Sequence, residues 1–407
     1  MSYQVGSEVG VLKQVIVHRP GREVTRLTPQ NKEALLFDDL LWMQQAQKEH
    51  DWFTRVLRAE GAEVLYLQQL LAETLEVPVA QDFLLERVFD ERIFGRDGVE
   101  SLRGHIDTLD SADVAELLIA GLTKRELLES MTVPNSMDIQ FMDMDDFVLN
   151  PLPNHLFTRD TSCWVYGGVS INSMTKPARQ RETLSYEAIY RWHPRFADHD
   201  FALWGEGTSE GRSTIEGGDV LVIGNGAVLV GLSERTVAMG AERMARRLFE
   251  AGQAEQVIAV QMPKERAQMH LDTVMTMLDQ ESFIRYQAFG DRKTWVLRPG
   301  KDANSLSIEE HGPEDFSQVI SAALGLKSLR ILTPPYDELT AQREQWNDAC
   351  NVFAVAPGRV VGYERNSLTR DFLTKNGIEV LDVPGDELGR GRGGPRCMSC
   401  PTLREPL

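Results

Sequence analysis

Cysteine is scarce, basic charge is in deficit and no apolar run is long. Only 4 of 407 residues are cysteine, and 43 Lys plus Arg face 61 Asp plus Glu, a net charge of −18. That balance argues against non-specific nucleic-acid binding, which needs basic surface to replace the counterions of a phosphate backbone. It is compatible with a cationic substrate. No stretch approaches the roughly 18–20 apolar residues of a membrane span. The opening MSYQVGSEVGVLKQVIVHRPGREV has neither the basic start nor the apolar centre of an export signal. A reducing compartment is therefore expected, where cysteines serve as nucleophiles, metal ligands or small buried residues rather than disulfides. Cys163 and Cys350 stand alone and read as small buried residues. Low-complexity tracts are absent as well, and 42% hydrophobic with 26% charged residues excludes a disordered chain.

What is present is repetition. Four times a helical segment ends in glycine and runs into an apolar strand: LRAEGAEVLYL (57–67), LFEAGQAEQVIAV (248–260), ALGLKSLRILT (323–333) and LTKNGIEVLDV (373–383). Glycine at a helix C-terminus adopts the left-handed backbone at no steric cost. A second element recurs beside it, two short apolar strands joined by a turn. It stands at 162–174, 219–236 and 351–366, with a less glycine-rich copy at 273–287. Together they make a module of strand, hairpin strand, helix, glycine and strand. Such modules bury their apolar faces only by stacking, in a line or in a ring. Residues 73–145 break the pattern with helical spacing in LLERVFDERIF, SADVAELLIAGL and TKRELLESM, and read as a helical insertion. Thr123 and Glu126 have capping-box spacing there.

Polar residues cluster at the start of each hairpin. FTRD places Asp160 before one, and EGGD places Glu216 before the next. MHLD is expected to place His270 and Asp272 on one face of a strand, at i and i+2. The fifth module opens with NDACNVFAV, and GGPRCMSCP near the C-terminus brings Cys397. Singly, these are a solvated cap, a loop residue or a core histidine. In a ring, equivalent ends converge, and the five gather at one place. A cysteine thiolate is a nucleophile, a histidine moves protons, and clustered carboxylates call for a cation between them. A planar guanidinium fits that demand in fork geometry. Arg392, Arg396 and the glycine-rich backbone are expected to favour the thiolate. Zinc would need a second Cys/His pair, and a redox C-x-x-C normally opens a helix, whereas proline follows Cys400 here.

HRPG with RLTPQNKEALLFDD (26–39), then FTRD, EGGD, MHLDTV and GRGGPRCMSCP, resemble arginine deiminase, over essentially the whole chain. The resemblance implies a five-bladed pseudo-symmetric α/β propeller, the pentein fold, over residues 1–72 and 146–407, with an inserted α-helical domain at 73–145. It implies hydrolysis of L-arginine to L-citrulline and ammonia with no metal or organic cofactor. It also implies a cytoplasmic homo-oligomer, dimer or tetramer, whose partners are L-arginine and water, not nucleic acid or membrane. By position, Cys397 is the nucleophile, His270 the acid and base, and Glu216 orients the histidine. Asp160 and Asp272 hold the guanidinium nitrogens. Asn154, Phe157, Arg179, Arg235 and Arg392 meet the α-carboxylate and α-amino end, and Leu36 lines the pocket. One segment departs from the family pattern: Trp346-Asn347-Asp348-Ala349-Cys350-Asn351 stands where W-D-D-G-N-N is expected. Alanine at 349 implies that this position does not need positive φ, or that the turn has shifted. An amidinotransferase on the same scaffold and a non-catalytic arginine-binding protein are the competing readings. Agmatine deiminase is disfavoured, because that substrate lacks the carboxylate that three arginines would bind.

Overall fold

Apolar triplets and quadruplets bounded by turn residues form short strands, and the computed structural model, which describes residues 3–130, 136–302 and 305–407, groups them into small sheets. The same three-stranded pattern recurs. Ser162–Val165 lies antiparallel to Gly168–Ile171, which lies parallel to Ala202–Glu206. Val220–Gly224, Ala227–Leu232 and Gln256–Gln261 repeat it. So do Met275–Met277, Ser282–Arg285 and Arg330–Leu332, and then Phe353–Ala356, Arg359–Tyr363 and Glu379–Val383. The remaining unit is shared by the two ends of the sequence: Cys400–Arg404 lies antiparallel to Leu12–Val17, which lies parallel to Glu63–Tyr66.

A helix makes each parallel crossover, as parallel pairing requires. These are Met43–Ala59, Glu182–Trp192, Ala238–Glu250, Phe316–Ala323 and Ser367–Lys375. In the four copies found in the sequence the helix is left through a glycine in the left-handed region: Gly61 (φ 87°), Gly252 (φ 63°), Gly325 (φ 70°) and Gly377 (φ 84°). The hairpin Thr294–Pro299 with Leu306–His311 was not foreseen. It lies in sequence within the fourth unit but pairs onto the third, extending that sheet to five strands.

Between the first and second units the chain is mainly helical, and the helices begin at Leu67 rather than at 73. Pro78–Val88, Arg96–Ile106, Ser111–Ala120 and Lys124–Ser130 follow, with residues 131–135 outside the described set. Thr123 and Glu126 close a capping box, with the Thr123 amide donating to Glu126 Oε2 at 2.9 Å and the Glu126 amide to Thr123 Oγ1 at 3.3 Å. These helices do not enclose a core of their own. Leu71, Leu102 and Val114 share one cluster with Trp164, Ile171 and Tyr186 of the second unit. Among the described residues no helix is long and apolar enough to cross a membrane.

Candidate active site

Each singled-out polar residue stands just ahead of the first strand of its unit. Asp160 sits in the turn of helix Thr158–Thr161, immediately before Ser162. Glu216 precedes the 3-10 turn Gly217–Asp219, and His270 precedes the 3-10 turn Leu271–Thr273. Cys397 lies three residues before Cys400–Arg404. His270 and Asp272 are thus not on a strand, contrary to the i, i+2 expectation. The His270 carbonyl accepts from both the amide and the hydroxyl of Thr273, at 3.2 and 2.7 Å, and that coils the segment.

A closed circuit of hydrogen bonds joins the five segments. The Arg159 amide donates to the Cys397 carbonyl (3.1 Å), and the Gly218 amide to Asp160 Oδ1 (3.2 Å). The Leu271 amide donates to Asp219 Oδ1 (2.9 Å), and Asn351 Nδ2 to the Asp272 carbonyl (3.0 Å). The Cys397 amide then donates to Asn351 Oδ1 at 3.1 Å and completes the loop. Gly218 is required by crowding: a Cβ there would lie 2.8 Å from the His270 ring and 2.9 Å from Asp160 Oδ1.

The geometry brings all five expected residues together, each at most 4% exposed. His270 Nε2 is 2.8 Å from Glu216 Oε2, and its Nδ1 is 3.7 Å from Asp160 Oδ1. Burial alone would lower the imidazole, but Asp160 and the Glu216 hydrogen bond raise it to about 9. Burial pushes Asp160 up, yet His270 and Arg179 hold it below its ordinary value. Glu216 is likewise held low by Arg235 and His270 against burial. Cys397 Sγ is 3.6 Å from Asp272 Oδ2. Burial, then Asp272, Asp160 and Asp348, push its thiol well up.

That last direction corrects the expectation that Arg392 and Arg396 favour the thiolate. Arg396 is fully spent elsewhere. Its Nε and Nη2 meet Glu8 at 3.0 and 3.1 Å, Nη2 also donates to the Val220 carbonyl, and Nη1 donates to Asp272 at 2.8 Å. Arg392 (φ 62°) stacks its guanidinium 3.5 Å above the Trp346 ring, and its Nε and Nη1 are unpartnered.

Among the residues expected at the amino-acid end, Arg179 is also spent. It donates to Asp160 (2.6 Å), to Glu182 (2.9 Å), and to the carbonyls of Asn154 and Phe157 (3.1 and 3.2 Å). Arg235 donates to Glu216 (3.3 Å) and Glu234 (3.1 Å), and its Nη2 meets only the Met269 sulfur. Asn154 Nδ2 donates to the Leu35 carbonyl, and Phe157 stacks on Phe37. Leu36 (φ 64°) is half-buried, and its carbonyl accepts from Arg266, which also grips Asp38 with two bonds of 3.0 Å.

Asn351 was missed, although it occupies the equivalent point of the fifth unit and the repeat alone would have selected it. Glu8 was missed because nothing local distinguishes it and only the fold sets it against Arg396; Glu182 stands at i, i+3 from Arg179, a spacing that could have singled it out. Asp348 has the left-handed backbone of its segment (φ 61°), which leaves Ala349 free of that demand. Both Asp348 oxygens are buried without a partner among the described residues, and burial lifts the carboxyl to about 7. Cys400 lies apart from Cys397, its thiol donating to the Ser162 carbonyl at 3.2 Å. Asp160, Glu216 and His270 offer ligand atoms within 4.8 Å of one another, a spacing that suits a metal ion. Arg179 and Arg235 already bring positive charge to both carboxylates, which disfavours adding a divalent cation.

The arginine deiminase family model matches residues 33–404. Solved structures share the fold at low sequence identity. SxtG, an amidinotransferase of the saxitoxin pathway from Microseira wollei, is 15% identical, with a TM-score of 0.57 over 100% of this chain and 98% of that one. The N-terminal domain of ArgZ, an arginine dihydrolase of the ornithine–ammonia cycle in cyanobacteria, is 12% identical, with a TM-score of 0.55 over 96% and 97%. A citrulline complex of DDAH from Pseudomonas aeruginosa is 15% identical, with a TM-score of 0.52 over 96% and 99%.

Proposed function

The chain belongs to the arginine deiminase family, and from that premise we propose that it hydrolyses L-arginine to L-citrulline and ammonia through a covalent bond from Cys397. The observation that carries this reading is that the buried contacts Cys397–Asp272 and His270–Glu216 belong to segments joined by one hydrogen-bond circuit that also holds Asp160. That circuit joins the segments carrying a nucleophile, a proton carrier and two carboxylates suited to a guanidinium, which supports the reading.

In this reading Asp160 and Asp272 take the guanidinium nitrogens, and the substrate's charge offsets the carboxylates that keep the thiol protonated. The thiol releases its proton to solvent as the substrate binds, and the thiolate attacks the guanidinium carbon. The carbon–nitrogen bond to a terminal nitrogen breaks as the His270 imidazolium gives that nitrogen a proton, and ammonia leaves. Neutral His270, steadied by Glu216, then takes a proton from water as its oxygen adds to the thiouronium carbon. The carbon–sulfur bond breaks, the thiolate is restored, and the remaining proton is lost from the product ureido group. Arg235 and Arg392 have donors left for the α-carboxylate, with Asn154, Phe157 and Leu36 lining that end. Arg179, whose donors are taken, fixes Asp160 instead.

The five repeated units read as blades of a five-bladed α/β propeller, pentein-like, formed by residues 1–72 and 146–407 with 73–145 inserted. A cytoplasmic homo-oligomer, dimer or tetramer, goes with this reading. The test is incubation with L-arginine and assay of both products. Citrulline and ammonia in equal amounts support hydrolysis. Ornithine formed only when an amine acceptor is added, with the amidino group on that acceptor, would point to transfer. Arginine binding without product would point to a non-catalytic protein.

A further inference from the structure

Three guanidinium groups share the interior with too few counter-charges. Arg159, Arg396 and Arg404 are each at most 2% exposed. Arg396 uses both oxygens of Glu8 and Oδ2 of Asp272; the charges of both carboxylates act on Arg159, and that of Glu8 acts on Arg404. Arg159 Nε reaches only the Arg396 carbonyl, at 3.4 Å. Among the described residues Arg404 donates only to the carbonyls of Gly10 and Ala354, at 2.7 and 2.8 Å. Arg159 Nη2 and Arg404 Nε are buried with no partner among the described residues. Both guanidinium carbons face the same ring, that of Phe353, at 5.9 and 5.1 Å from its centroid.

Guanidinium does not lose its proton inside proteins. The group therefore holds three positive charges against the two negative charges of Glu8 and Asp272, and Asp272 is shared with Cys397. An unpaired buried charge costs several kcal/mol by general experience. Water would satisfy the two idle N–H groups but leave the charge. The neighbouring Cys400 does not supply it, because burial pushes that thiol up although Arg159 pulls it down.

We propose that a monovalent inorganic anion of halide size binds beside Phe353, accepting from Arg159 Nη2 and Arg404 Nε. It neutralises the surplus charge without drawing on Asp272, which stays available to the thiol side. This site is independent of arginine turnover and of the reading above.

Two measurements test it on the full chain. In crystals grown in sodium bromide, an anomalous bromine peak is expected within hydrogen-bonding reach of those two nitrogens. In solution at fixed ionic strength, replacing isethionate by chloride is expected to raise the melting temperature by about 2 °C per tenfold in chloride. Arg404→Met removes the surplus charge, so the variant should lose both effects. A wild-type map with no bromine there, or an Arg404→Met crystal that keeps the peak, overturns the proposal. Should that variant fail to fold, the wild-type bromide map decides alone.

Discussion

Cys397 Sγ lies 3.6 Å from Asp272 Oδ2, the same oxygen that receives Arg396 Nη1 at 2.8 Å. The carboxylate therefore opposes ionisation of the nucleophile until a cation comes between them. Asp272→Asn should make the thiol more acidic, and alkylation of Cys397 by iodoacetamide at neutral pH should accelerate about tenfold for each unit of pKa released. Peptide mass spectrometry follows the rate. Slower or equal alkylation in the variant would show that Asp272 does not control the thiol.

The two cysteines of the C-x-x-C differ in surroundings, and their variants should differ too. Cys397→Ala is expected to abolish citrulline formation. Cys400→Ala, in a residue packed among Ser162 and Tyr190, should keep a substantial part of it. Equal loss in both would sink the single-nucleophile account.

His270 titrates at about 9 in the folded chain, against an ordinary 6.5. A raised imidazole binds its proton more tightly folded than unfolded. Its stabilising contribution is complete below pH 6.5, shrinks as pH rises and is gone above about 9. The stability gap between wild type and His270→Asn in urea melts should close over that window. A gap that widens with pH would reverse the assignment.

Arg179 carries an ion pair on each side and two carbonyls, all buried. Arg179→Gln should cost about 3–5 kcal/mol of stability by leaving Asp160 and Glu182 unpaired. Arg235→Gln, whose Nη2 meets only a sulfur, should instead raise KM for arginine with a smaller loss of stability. Similar denaturation midpoints for both variants would remove the distinction.

Two arginines already meet the carboxylates of the Asp160–Glu216–His270 cluster. Incubation with a chelator should leave the rate of citrulline formation unaltered. A large drop, restored by one divalent metal, would assign that cluster to a metal ion.

Much of this arrangement is readable from the sequence because it repeats. The glycine exits from four helices and the turns of four hairpins are local signals, and each is found where the residues place it. The position before each first strand is also periodic, so Asp160, Glu216, His270 and Cys397 stand out together. Two kinds of feature escape. Asp272 and His270 lie on coiled rather than extended backbone, because the hydroxyl of Thr273, three residues on from His270, decides the local turn. The partner of buried Arg396 is non-local: Glu8 and Arg396 are brought together only by the finished fold. The unexpected hairpin at 294–311 is of the same sort, since its pairing with Gln256–Gln261 belongs to another unit.

The pairing of Leu12 with Arg404 spans almost the whole chain. Loop-closure entropy grows only logarithmically with length, so this span costs little more than half the span would. It is, however, among the least local contacts in the molecule, and such contacts form slowly. Because the strand that makes it follows Cys397 by three residues, the nucleophile reaches its place only when the two ends of the sheet system meet. Recovery of arginine-directed activity after dilution from urea should therefore trail recovery of helical ellipticity, making turnover a clock for the last step of folding.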